Sequence, residues 1–247
     1  MKTCVALVLL MCGGSCLAQP AYPEPEAAAA WRGLAASYVR HAIRDGTLNR
    51  EPALNARLDA VMAAVAAAVA VFEPRFAGAS WKAILIEDFG RGAVAFPGEI
   101  ILVDATFVRA LRLNDDELAL ILSHEAAHVV AGHASEKLSF MAETLGKDRL
   151  PTARTALMEF LARDTYAAAF QPAALRQERE ADRVGAAIFP ATGYDAQRAL
   201  GVFDKLSGLE PRHGQDSHDA AGERKQAIAA VFAEQRLRRA RRLTAVP

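Results

Sequence analysis

Residues 118–133 read LALILSHEAAHVVAGH and contain His124-Glu125-Ala126-Ala127-His128, one copy of the H-E-x-x-H pattern. On a helix, residues four apart share a face, so both imidazoles reach toward one point. Glu125, turned about 100° away, is placed to handle a proton beside that point rather than to ligate there. Zinc suits such a set, because it accepts imidazole nitrogen and carboxylate oxygen and leaves a position open when it is catalytic. The surroundings are those of a helix. Asn114 is an N-cap candidate, and Glu117 three residues later completes a capping-box arrangement. Leu118, Ile121 and Leu122 form an apolar stripe that Glu125 continues, and polar groups on a core-facing stripe require partners.

Two histidines leave a ligand to be found. A metzincin would place glycine and histidine three and six residues past His128, where Ala131 and Ala134 stand instead. The better source is residues 177–183, QEREADR, in which Glu178 and Asp182 are four apart and share a helical face. One of these carboxylates can bind a metal while the other accepts an N–H from a ligand histidine, which fixes its tautomer. The competing reading is a solvated charged face in which Arg176, Arg179 and Arg183 pair with the acids.

HEAAHVVAGH, EREADRVG and TGYD together resemble the HtpX/BepA-type zinc metallopeptidases, relatives of the CAAX prenyl proteases. The resemblance covers roughly residues 93–224. It implies a mostly helical α+β, zincin-type domain with a small β-sheet beside the HExxH helix, and one Zn²⁺ per chain. It makes Glu178 the third ligand to His124 and His128, gives Asp182 to a histidine, and makes Glu125 the general base. Residues 92–99, GAVAFPGE, are similar to the family's edge strand, which implies that Ala95, Phe96, Pro97 and Gly98 align substrate; the family's leading Asn and second Gly are missing. His218 and Arg224 match a late family segment with Asp219 in place of proline. That implies a place near the cleft for both, stabilising the oxyanion, or, for His218, capping the metal in a latent state. His133 reads as a packing residue or a support for a ligand, and Tyr194 as a packing residue at a helix junction. The implied activity is a zinc endopeptidase that clears misfolded envelope proteins. The alternative is a latent, chaperone-like metal-binding protein of the same fold.

The chain has 247 residues, is 52% hydrophobic and balances 29 Lys+Arg against 29 Asp+Glu. That is enough to bury one sizeable core, and no global field favours nucleic acid. Residues 1–18 have the form of an export signal: Lys2, an apolar run, small residues, then Cys16-Leu17-Ala18. Cleavage there is favoured over lipoprotein processing with Cys16 acylated. All three cysteines (Cys4, Cys12, Cys16) precede that point, so a cleaved periplasmic or envelope chain has no disulfide. Residues 19–30 read as a proline-rich linker, 31–242 as the metallopeptidase domain with N-terminal packing helices, and 243–247 as a tail. Strands are expected over residues 81–87 and 98–104 and a key helix over 173–189. No later run reaches the ~18 apolar residues of a membrane span. Residues 236–242, RLRRARR, read as a solvated helix end, with docking on anionic lipid as the rival; that contact or a lipidated Cys16 would bring the chain to a membrane surface. Oligomeric state is not legible.

Overall fold

Residues 100–104, IILVD, are apolar without alternation, as expected of a strand covered on both faces. The computed structural model, which describes residues 20–48, 50–208 and 220–244, makes this the central strand of a three-stranded sheet. Its order is β1 (Lys82–Ile86), β3 (Ile100–Asp104), β2 (Ala93–Phe96). β3 runs parallel to β1, Lys82 opposite Ile100, and antiparallel to β2, Phe96 opposite Ile100. Ile101 and Val103 enter one core cluster while Leu102 enters a second on the other face, following the two-residue pleat. The two strands expected from sequence are therefore not a hairpin. They are parallel neighbours, and the short β2 between them in sequence takes the other edge.

Helices cover both faces. In chain order they are α1 (Glu24–Arg44), α2 (Pro52–Phe72), α3 (Ala105–Ala110), α4 (Asp115–Val130), α5 (His133–Leu145), α6 (Ala153–Ala162), α7 (Asp164–Ile188), α8 (Ala196–Ala199), α9 (Gly201–Leu206) and α10 (Ala221–Thr244). α2 packs Leu58, Val61, Val65 and Val69 into the first core cluster, against α4 and β1. Contrary to the sequence reading, α2 is long and apolar enough to cross a membrane; alanines supply much of that apolarity.

The linker expected over residues 19–30 needs correction. Tyr22 is buried, its hydroxyl donates to the Leu150 carbonyl at 2.7 Å, and α1 starts at Glu24. Glu26 accepts the Ala153 N–H, and Trp31 donates from Nε1 to the Ala134 carbonyl. An aromatic residue with a polar tip docks this segment on α5 and α6. α7 also begins earlier than expected and runs through Pro172, which lies on its exposed side. The signal segment with Cys16, together with His218, lies outside the described residues.

Candidate metal centre

α4 is set at its start by the expected capping box. Asn114 accepts the Glu117 N–H at 2.9 Å, and Glu117 accepts the Asn114 N–H at 2.8 Å. The helix then buries Leu118, Leu122, Ala126 and Ala127 and turns His124 and Glu125 toward a cavity of about 1230 Å³, with His128 one turn on from His124. α7 crosses α4 on the same side, brought close by Gly185. A Cβ there would lie 2.9 Å from both His124 Cα and His124 N. That approach delivers Glu178 to the two histidines.

The three side chains offer one donor atom each, all within 4.8 Å of one another. His124 Nε2 is 3.1 Å from His128 Nε2 and 3.2 Å from a Glu178 oxygen, and the other Glu178 oxygen is 3.5 Å from His128 Nε2. Donors at ~2.0–2.1 Å from a tetrahedral zinc are about 3.3 Å apart, so the spacing and the chemistry of the set fit that ion. The outward nitrogens are also engaged. His124 Nδ1 meets Asp182 at 2.9 Å, and Asp182 accepts two hydrogen bonds from Arg224 at 2.8 and 2.7 Å. His128 Nδ1 meets His133 Nδ1 at 2.9 Å. Glu125 accepts the Ala95 N–H at 2.8 Å.

With the metal-ligand geometry in place, comparison with known proteins is decisive on one point: residues 52–233 match the sequence profile of peptidase family M48. The chain belongs to peptidase family M48. It is 28% identical over 137 residues to the mitochondrial metalloendopeptidase OMA1 of Arabidopsis thaliana, covering 53% of this chain and 27% of that protein. With the enzyme of the same description from Saccharomyces cerevisiae, identity is 26% over 137 residues, covering 54% and 39% respectively. For that of Schizosaccharomyces pombe it is 24% over 147 residues, covering 55% and 40%. The chain thus spans between about a quarter and two fifths of these relatives' length.

The M48 site is strongly polarised. Burial opposes charge on His124, but the hydrogen bonds it donates to Asp182 and Glu178 outweigh it and push the imidazole up to about 10. Without metal, His124 therefore holds a proton between two carboxylates. Burial lowers His128, and the charge on His124 adds to that. Burial and the charge of His128 push His133 down to about 4. Asp182 is buried, which works against ionisation, yet Arg224 and His124 bring it down to about 2.

Of the residues singled out from sequence, His124, Glu125, His128, Glu178, Asp182 and Arg224 converge here, Arg224 through its bidentate pair with Asp182. Ala95 reaches the site by its backbone. Asp104 N–H donates to the Gly92 carbonyl, so by antiparallel alternation Ala93 and Ala95 turn their N–H and C=O groups to the free edge of β2. Phe96 is buried beneath the sheet, 6.4 Å from the Trp31 ring centroid. Pro97 and Gly98 form the turn after β2, with Gly98 at φ 92°. Two contributors went unread in the sequence: Gly185 and the Ala95 N–H. A glycine inside an otherwise strong helix costs about 1 kcal/mol against alanine, which is the signal that could have marked Gly185 as a point of close approach.

Proposed function

We propose that the chain is a zinc-dependent endopeptidase of the HExxH-plus-ExxxD type, holding one Zn²⁺ through His124, His128 and Glu178. The observation that carries this is the convergence of those three donors next to Glu125, which lines the cavity together with His124. Bound there, zinc supplies a Lewis acid that polarises the scissile carbonyl and lowers the pKa of water toward ~7. Glu125 takes a proton from the attacking water and returns it to the leaving amine. The Ala95 N–H donates to one Glu125 oxygen and so orients the carboxylate. Asp182, itself gripped by Arg224, keeps His124 with its Nδ1 protonated and its Nε2 turned to the ion.

The edge of β2 adds an extended peptide as a further strand, with main-chain bonds giving register and pockets giving preference. Arg224 lines the same cavity and adds positive charge for the oxyanion from behind Asp182; His218 remains a candidate for that role from outside the described residues. Export directed by residues 1–18 would make the substrates envelope proteins, with clearance of misfolded chains as the task. The test is zinc content and casein cleavage for the parent, Glu125→Gln and Glu178→Ala. We expect one zinc in the parent and in Glu125→Gln, cleavage in the parent alone, and loss of zinc in Glu178→Ala. A parent that binds zinc but cleaves no protein substrate would favour the latent, chaperone-like reading. Full activity in Glu125→Gln would remove the base assignment.

A further inference from the structure

The two histidines of the donor set are supported differently. Behind His124 stands a carboxylate, Asp182; behind His128 stands another imidazole, His133, 3% exposed and 2.9 Å away between the two Nδ1 atoms. We propose that His133 is a positioning residue for the metal centre, its Nδ1 accepting the Nδ1–H of His128 so that His128 presents a bare Nε2. This rests on the metal reading of the site.

The direction of that bond follows from what a ligand must be. Were His133 the donor, the proton of neutral His128 would sit on Nε2, pointing at His124 Nε2 and Glu178, and no metal could be held. With His133 as acceptor, its own proton lies on Nε2, where the nearest charge of suitable sign is a Glu180 oxygen at 3.5 Å. Glu180 thus stands on the far side of His133 from His128, near the ring but without a hydrogen bond to its Nε2. A neutral acceptor also has a logic here. Glu125, Glu178 and Asp182 already surround His124 and His128, countered by Arg224 and Lys137, and a carboxylate behind His128 would add a fourth negative charge.

The backbone is built to bring this about. In an unbroken helix residues five apart differ by about 140°, and His133 would point away from His128. α4 instead ends at Val130, Gly132 takes φ 74°, and α5 restarts at His133, which swings its ring back to stand edge-on to His128 at 4.9 Å between centroids. The turn is tied to the helix that brings Glu178. Gln177 Nε2 donates to the His133 carbonyl at 3.3 Å and to Glu136 at 3.0 Å, and Arg176 donates to the same Glu136 oxygen.

The experiment is zinc affinity by chelator competition for the parent, His133→Leu and His133→Asn, with thermal melting of each metal-free protein and ¹⁵N histidine spectra of the zinc-loaded parent. His133→Leu keeps bulk and loses the acceptor; His133→Asn puts a carbonyl oxygen where Nδ1 stood. We expect a 10–100-fold loss of zinc affinity for Leu, recovery to within about threefold for Asn, and an unprotonated Nδ1 on His133 in the parent. Equal affinity in Leu and parent, equal losses in Leu and Asn, or a proton on His133 Nδ1 would overturn the proposal. The spectrum decides the matter even if His133→Leu does not fold. A parent that takes up no zinc would instead remove the metal reading beneath it.

Discussion

Gly185→Ala tests how α7 is held against α4. Alanine is the better helix former by about 1 kcal/mol, so local propensity alone makes this substitution stabilising. The packing reverses the sign. The added Cβ would sit 2.9 Å from His124 Cα, 2.9 Å from His124 N and 3.0 Å from the Ser123 carbonyl, all main-chain atoms that cannot rotate aside. Ordinary contact starts near 3.4 Å, so the helices must part by about 0.5 Å. Overpacking of this kind costs about 1–3 kcal/mol, which leaves a net loss of about 1 kcal/mol and a Tm lower by about 2–4 °C for a domain of this size. The separation falls directly on the 3.2 Å His124–Glu178 edge and the 2.9 Å His124–Asp182 contact. Half an ångström is the tolerance of a preorganised site, so zinc affinity should fall about tenfold or more. Gly33→Ala is the control: helical, exposed, with nothing within 4 Å of the new Cβ, it should gain up to about 1 kcal/mol. Calorimetry and chelator competition on both variants read the result. If Gly185→Ala raises Tm as Gly33→Ala does and binds zinc like the parent, the close-approach argument is wrong.

Two further outcomes are expected. Ala95→Pro removes the donor to Glu125 from a position whose N–H faces away from β3, so the β2–β3 ladder and zinc content should survive; loss of one charge-assisted bond, about 1.5–3 kcal/mol, should lower kcat/KM about 10–100-fold in a peptide assay. Asp182, held near 2 against an ordinary value of about 3.9, stabilises the metal-free protein above pH ~4, and that stability drains as pH falls toward 2. Urea midpoints between pH 5 and 2 should therefore drop more steeply in the parent than in Asp182→Asn, and parallel curves would contradict this.

What was legible in the sequence was what local spacing encodes. The capping box needs only residues three apart, and the facing pairs His124/His128 and Glu178/Asp182 only residues four apart. The M48 core could be outlined from them. What escaped depends on chain segments meeting from far away. Tyr22 looks like part of a proline-rich linker until Leu150, 128 residues on, supplies a carbonyl for its hydroxyl. β2 has four residues between Gly92 and Pro97, too few to show alternation, and it is a strand because β3 has a free edge there. The parallel pairing of β1 with β3 leaves no mark on either strand's composition. His133 sits on the wrong face of any continuous helix, and its contact with His128 depends on reading Gly132 as a reversal rather than a pause.

The fifty-residue separation of His128 and Glu178 also has a meaning in time. At ~5–20 residues per second of synthesis, ~3–10 s separate the appearance of the second histidine from that of the glutamate. During that interval the nascent chain carries the proposed base and two donors but no third, and α5 and α6 must be made before α7 can arrive. A chain interrupted anywhere in the gap has only half the apparatus. The proposed capacity to cut other proteins would thus be acquired late, as one of the last consequences of the fold closing.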